Sequence, residues 1–153
     1  MRQWSGTFAA VIALAISVAC YAGAPGVDTG SFDPAGLTEA QAKELLNLVL
    51  HHERLVASGV TVDFERLLGD DGHDLHPAYF TFGVSTDDPR SAATSVVGLI
   101  AIGRMTGDVW ELNLCRRYSF PELRRIQKAI TQRTRKTIAA EKEQRRGLGC
   151  PER

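Results

Sequence analysis

Alternating apolar and polar residues in the middle of the chain constrain the fold more than any other feature of this sequence. The interval 79–85 places Phe80, Phe82 and Val84 on one face of an extended chain and polar residues on the other. This alternation is typical of a strand with one buried face. Residues 95–103 are apolar on both faces, so we predict that they form the central strand of a sheet.

A third strand follows a short turn. Residues 104–108 form the turn, in which Gly107 is available for a positive φ angle. Residues 109–115 form the strand. Its apolar face consists of Trp110, Leu112 and Leu114. Because sequential strands with short connections usually lie side by side, these intervals predict an antiparallel meander.

Two helices flank the predicted sheet. Residues 38–57 repeat apolar side chains at helical spacing, and Thr38 opens this segment with a capping-box pattern. Residues 119–133 begin at Ser119 with a second capping-box pattern and carry a narrower apolar stripe. We therefore expect an α+β fold, an antiparallel meander of three or four strands with both helices packed on one face.

The first residues have the order of an export signal. Arg2 precedes an apolar run at residues 8–19, and small residues follow at 20–24. The run is shorter than the roughly 20 apolar residues that a membrane-spanning helix needs. Two processing routes stay open: cleavage after Ala22, or lipidation of Cys20, which would add membrane contact through the N-terminus. Either route predicts an exported protein of the periplasm or cell envelope.

These features divide the chain of 153 residues into four parts. Residues 1–22 are the predicted signal peptide, and residues 23–36, rich in Gly, Pro and Asp, form a flexible lead-in. Residues 37–146 form one α+β domain, in keeping with the length of the chain. Residues 147–153 form a C-terminal tail.

The chain has three cysteines, an odd number. If Cys20 is removed or lipidated, Cys115 and Cys150 remain as an even pair in an oxidising compartment. An unbroken helix over residues 119–146 would be about 42 Å long and would hold the pair apart, whereas a disulfide needs Cα atoms within about 7 Å. Either the helix breaks near residues 133–137 and the chain doubles back, or the bond is absent or intermolecular.

Charge is distributed unevenly along the chain. Residues 23–115 contain 5 basic and 14 acidic residues, whereas residues 116–153 contain 12 basic and 4 acidic ones. The candidates for contact with an acidic partner are Arg124, Arg125, Lys128 and Arg133. A solvated basic face, or one that complements the acidic part of the chain, would have the same sequence. Export and the lack of interleaved aromatic residues argue against nucleic acid as the partner.

The polar loop at residues 70–76 contains the side chains best suited to chemistry. His73, Asp74 and His76 are of types that bind zinc or calcium. Their spacing matches neither an EF-hand nor an HExxH motif, and a solvated loop stabilised by Asp side chains would look the same. No motif for a nucleotide or an activated serine occurs. We therefore expect no catalytic residue, metal or cofactor.

Residues 98–112, with Thr106-Gly107-Asp108-Val109-Trp110 at their centre, resemble small exported α+β modules of the PepSY and cystatin-like type. In those modules a helix packs on a short antiparallel meander. The resemblance covers about a tenth of the chain, and the long basic C-terminal helix departs from it. It implies a non-catalytic binding or inhibitory module and identifies no functional residue.

Small size, export, charge polarity and the absence of catalytic motifs favour a non-catalytic binding protein of the bacterial envelope. Its most concrete form is an inhibitor or immunity protein that acts on a toxin or a cell-wall hydrolase through direct protein contact. Two alternatives stay open. One is an envelope enzyme that uses the loop at residues 70–76, with or without metal. The other is a structural protein of the envelope anchored by lipid at Cys20.

Overall fold

The structure, a computed structural model, describes residues 26–55, 60–87, 94–136 and 146–150. Within them, no helix combines the length and the apolar character needed to cross a membrane. The elements, in chain order, are a short 3₁₀ helix (Thr29–Ser31), α1 (Glu39–His52), β1 (Val60–Glu65), β2 (Tyr79–Asp87), β3 (Thr94–Gly103), β4 (Val109–Glu111), β5 (Arg116–Arg117) and α2 (Pro121–Thr134).

All five strands belong to one sheet in the order β1-β2-β3-β4-β5. Each strand pairs antiparallel with the next one along the chain. The predicted α+β meander is therefore confirmed, with one strand more than the upper limit that we expected.

The main core lies between one face of this sheet and the two helices. Phe82, Ile102 and Val109 point into it from three strands and are fully buried. The largest buried side chains that the helices add are Leu45, Leu46, Val49, Leu123, Ile126 and Ile130. Both helices thus cover the same face of the sheet, as the alternation in the strands and the apolar stripes of the helices predicted.

The start of α1 follows the predicted capping box. The backbone N–H of Gln41 donates to Thr38 Oγ1 at 3.2 Å, and the backbone N–H of Thr38 donates to Gln41 Oε1 at 2.9 Å. These two bonds satisfy donors that the first turn of a helix leaves without intrahelical partners.

The end of α1 comes earlier than predicted, at His52 instead of residue 57. Arg54 adopts a left-handed conformation with φ 58°. The N–H of Leu55 donates to the Leu50 carbonyl at 2.9 Å, and the N–H of Arg54 donates to the His51 carbonyl at 3.1 Å. This pair of bonds is a Schellman motif, which terminates the helix and turns Leu55 towards the core.

The predicted strand at residues 109–115 is shorter in the structure, and a further two-residue strand follows it at residues 116–117. Strand β4 ends at Glu111, and the chain then turns back through Cys115, which has φ 50° and cannot continue a strand. Leu114, expected on the apolar face of the strand, is 62% exposed. The extra reversal creates β5, which pairs with β4.

A second, smaller cluster occupies the opposite face of the sheet. Ala101 and Trp110 are fully buried there, and Leu148 and Cys150 pack against them. A disulfide joins Cys150 to Cys115 with a Cα–Cα distance of 5.6 Å. The predicted C-terminal tail at residues 147–153 is therefore part of the domain as far as Cys150.

Helix α2 ends where the sequence allowed the chain to double back. Its last residue is Thr134, and Arg135 follows in a left-handed conformation with φ 56°. The start of α2 differs from the prediction, because Phe120 occupies the N-cap position and makes no side-chain capping bond. Ser119 lies outside the helix, where its hydroxyl accepts a hydrogen bond from Arg124 at 3.2 Å.

The flexible lead-in predicted at residues 23–36 is, from residue 26 onwards, part of the folded domain. Phe32 is 3% exposed and belongs to the main core. The N–H of Leu37 donates to the Arg104 carbonyl at 2.8 Å. The Gly, Pro and Asp residues that suggested flexibility instead form tight turns, such as the bond from Gly36 N to Asp33 O at 3.0 Å.

Candidate functional site

A groove runs along α2 and the segment that leads into it. Its volume is about 660 Å³. Its lining residues are Arg117, Ser119, Arg124, Gln127, Lys128, Thr131, Gln132, Arg135 and Lys136. We call this surface the α2 groove. The lining contains five cationic side chains and no carboxylate among the described residues.

Helical spacing explains which residues share the groove. Arg124, Lys128, Thr131 and Arg135 follow one another at intervals of three or four residues, so they lie on one side of the helix. Arg117 joins them because only three residues separate the end of β5 from the start of α2.

Of the four residues predicted to contact a partner, the structure brings Arg124 and Lys128 together in the α2 groove. Arg125 and Arg133 are exposed on α2 but do not line the groove. The sequence contained this distinction, because at about 100° per residue Arg133 lies about half a turn of the helix away from Arg124.

Arg117 is the groove cation most firmly fixed to the fold. Its Nη2 donates to Asp108 Oδ1 at 3.0 Å, and Asp108 is fully buried. Burial raises the pKa of the Asp108 carboxyl above its ordinary value, while the charge and the hydrogen bond of Arg117 act in the opposite direction. Arg117 Nε is also buried and has no hydrogen-bond partner among the described residues.

The other cations of the groove are not neutralised within the described part of the chain. The ion pairs between described residues involve Arg116 and Arg117. The remaining four cations therefore bring positive charge to the groove without a carboxylate ion-paired to them in residues 26–55, 60–87, 94–136 and 146–150. They are Arg124, Lys128, Arg135 and Lys136. The arrangement is suited to holding an anionic group.

Gln127 connects the groove to the turn between β3 and β4. The side chain is 2% exposed, and its Nε2 donates to the Gly107 carbonyl at 3.0 Å. Thr134 makes a comparable link further along α2, because its hydroxyl donates to the Met105 carbonyl at 2.8 Å. These bonds hold α2, and with it the groove, against the sheet.

A second polar network lies around Glu111, which is 7% exposed. Its Oε2 accepts a hydrogen bond from the Tyr118 hydroxyl at 2.9 Å and lies 3.0 Å from Arg116 Nη2. Arg116 also lies 3.7 Å from Glu53, at the end of α1. Burial raises the pKa of Tyr118 to about 12. Since every one of these polar groups has a partner within the domain, the network serves the fold by joining β4, β5 and α1.

In the loop at residues 70–76, the Asp side chains accept hydrogen bonds from the backbone of the loop itself. The backbone N–H of His73 donates to Asp71 Oδ1 at 3.0 Å, and that of His76 donates to Asp74 Oδ1 at 2.9 Å. His76 Nδ1 lies 3.1 Å from the Gly147 carbonyl. In the described residues, no group of three or more His, Cys, Asp or Glu side chains is arranged to hold a metal ion. The structure therefore does not bring His73, Asp74 and His76 together as a site.

A family model described as "T6SS, Immunity protein Tgi2PP" matches residues 36–142. The chain belongs to this family. The match includes both helices and all five strands. A chain in a solved structure titled "Structure of a type VI secretion system effector-immunity complex from Pseudomonas protegens" is 37% identical, with a TM-score of 0.71. That match covers 83% of this chain and 100% of the other. No curated protein matches.

Membership of the Tgi2PP family corrects the resemblance to PepSY and cystatin-like modules, which was wrong. That resemblance depended on the turn around Gly107. The turn is closed by hydrogen bonds from Gly107 N to Gly103 O and from Gly103 N to Asp108 O, both 2.8 Å long. A tight glycine turn of this kind can join two strands in many unrelated folds, so it does not identify a family.

The functional prediction of an immunity-type protein that is not an enzyme is confirmed by the family. The alternative of an enzyme based on the loop at residues 70–76 has no support from either the family or the geometry of the loop.

Proposed function

We propose that this chain is an immunity protein that binds an effector of a type VI secretion system and protects the cell from it. The observation that carries the proposal is the 37% identity to a chain of a solved effector–immunity complex, over the whole length of that chain. The size and the charge polarity of the protein suit direct binding to another protein, because complementary charge accelerates and orients association.

We also propose that the protein acts in the periplasm after export. Two observations support this location. The first residues have the order of a secretory signal, with an apolar run at residues 8–19. The disulfide between Cys115 and Cys150 is of a kind that forms and persists in oxidising compartments. Intact mass of the mature protein distinguishes cleavage after Ala22 from lipidation of Cys20.

The experiment that tests both parts directs the type VI effectors of the source bacterium, one at a time, to the periplasm of a susceptible host. We expect the full-length chain to restore growth, and the chain that begins at residue 23, kept in the cytoplasm, to give no protection. Purified and oxidised, the shorter chain should still form a stoichiometric complex with the effector.

Failure of the purified proteins to form a complex, together with no protection by the full-length chain, would overturn the immunity function. Protection by the cytoplasmic form would overturn only the periplasmic location.

A further inference from the structure

We infer that the α2 groove is the surface through which this chain binds an acidic segment of its effector. The inference rests on the proposed function and extends it by naming the surface and the chemistry of the partner. The groove's charge, its shape and the anchoring of Arg117 all support it.

The positive charge of the groove favours binding of an anionic group. Five cations gather along one side of α2 and its entry, and no carboxylate lines the groove in the described residues. Cations held close together repel one another, so an arrangement of this kind raises the local positive potential and attracts an anion. Of the groove cations, only Arg117 has a carboxylate partner in the described part of the chain, and that carboxylate is buried beneath it.

The shape of the groove favours a protein segment over a membrane surface. The groove is an open depression of about 660 Å³ along α2, which a protein segment can enter. Ser119, Thr131 and Gln132 add neutral hydrogen-bonding groups between the cations. Surfaces that bind lipid usually add apolar side chains that enter the bilayer, whereas none of the described lining residues is apolar.

Arg117 gives the groove a rigid cation at its inner side. The buried Asp108 fixes one end of the guanidinium at 3.0 Å, and 28% of the Arg117 side chain stays exposed. A guanidinium has five N–H donors in one plane, and Asp108 accepts a hydrogen bond from Nη2. An arginine held in this way can bind a carboxylate through two parallel hydrogen bonds with little loss of side-chain freedom.

The test compares two double variants of the same helix that change the net charge equally. Arg124→Glu with Lys128→Glu reverses charge inside the groove, and Arg125→Glu with Arg133→Glu reverses it outside. All four side chains are exposed, so both variants should fold, which thermal unfolding checks. Affinity for the purified effector is measured by calorimetry.

We expect the groove variant to weaken binding about 100-fold and the control variant to weaken it less than about 5-fold. Increasing the salt concentration should weaken binding of the wild-type chain more than binding of the groove variant. Salt screens the attraction between the groove cations and the acidic segment, and the variant has already lost that attraction.

Four results would overturn the inference while leaving the proposed function in place. Equal losses in the two variants would mean that net charge acts at long range and that the groove is not the contact. Unchanged affinity in the groove variant would exclude the groove directly. Groove-dependent sedimentation with phosphatidylglycerol vesicles, or a dimer in light scattering that the groove variant abolishes, would assign the groove to lipid or to a second copy of the chain. A wild-type chain that does not bind the effector would instead overturn the proposed function and this inference with it.

Discussion

At Gly107 the turn between β3 and β4 meets the two helices that cover it. The residue has φ +67°, and a Cβ atom there would lie 2.5 Å from Ile130 Cδ1 and 3.4 Å from Leu45 Cδ1. Its carbonyl also accepts the hydrogen bond from Gln127. Backbone conformation and packing therefore both require glycine at this position.

We predict that Gly107→Ala lowers the free energy of unfolding by about 2–4 kcal/mol, from a strained positive φ and an overpacked core. Gly72→Ala is the matched control, because Gly72 has φ +78° but a Cβ atom there would meet no other atom within 4 Å. It should cost only about 1 kcal/mol. Urea denaturation measures both, and equal losses would show that Ile130 and Leu45 give way without cost.

Two tyrosines should ionise only at unusually high pH. Burial raises the pKa of Tyr79 to about 12, and the negative charge of Asp108 is the second largest cause of the increase. Burial also raises the pKa of Tyr118 to about 12, and donation of its hydroxyl to Glu111 adds to the effect. Because the folded state favours the neutral phenol, the stability from these groups is complete below about pH 10, the ordinary tyrosine pKa, and is lost as the pH rises through 12.

The measurement is the ultraviolet absorbance of tyrosinate in a chain that begins at residue 23, which lacks Tyr21. We expect little ionisation at pH 10 in the folded protein and ordinary ionisation near about pH 10 in urea. Tyr118→Phe should remove half of the tyrosinate absorbance that appears at high pH. Ionisation of both tyrosines near the ordinary tyrosine pKa would contradict the raised pKa values.

At the level of secondary structure, the end of α1 depends on a residue in a conformation that suits glycine better. Arg54 occupies the left-handed position of the Schellman motif with φ 58°. We predict that Arg54→Gly raises the free energy of unfolding by about 1 kcal/mol relative to Arg54→Ala, which keeps the strain. Comparing the two variants at one position removes the contribution of the arginine side chain. Equal stability in urea denaturation would show that the left-handed conformation has no cost here.

Elements with local signals could be predicted from the sequence. The capping box at Thr38 and the alternation of Phe80, Phe82 and Val84 depend on residues close together in the chain, and the structure has both. The end of β4 could not be predicted, because the turn that follows it depends on contacts between distant residues. Leu99 N donates to Asn113 Oδ1 at 2.8 Å, and the disulfide holds Cys115.

In the candidate site, too, the local features could be predicted from the sequence and the long-range ones could not. The grouping of Arg124 with Lys128 follows from helical spacing alone. The addition of Arg117 does not, because it requires the pairing of β5 with β4, where Trp110 lies opposite Arg117. A two-residue strand has too short an alternation to be recognised in a sequence. The sequence therefore points to α2 but to only part of the candidate surface that the α2 groove forms.

At the scale of the whole molecule, the sheet has two differently covered faces. The helices cover one face with a large core, and most of the residues that line the α2 groove belong to α2. The other face is covered over Trp110 by Leu148 and Cys150, which the disulfide to Cys115 holds in place. The disulfide thus ties the segment that covers the second face to the end of β4 and β5.

The disulfide should make a large contribution to the stability of the mature protein. It joins residues 35 positions apart, which corresponds to about 4 kcal/mol in the chain-entropy treatment. We predict that reduction of the wild-type chain, or the double variant Cys115→Ser with Cys150→Ser, lowers the free energy of unfolding by about this amount. In a chain that begins at residue 23, Trp110 is the one remaining tryptophan, so its fluorescence should shift to longer wavelength as Leu148 and Cys150 leave it. The double variant is the control, since a reducing agent should change neither its stability nor its emission. Unchanged stability and emission in the reduced wild-type chain would show that Leu148 packs over Trp110 without the bond, and that the stability of this protein does not depend on the compartment it enters.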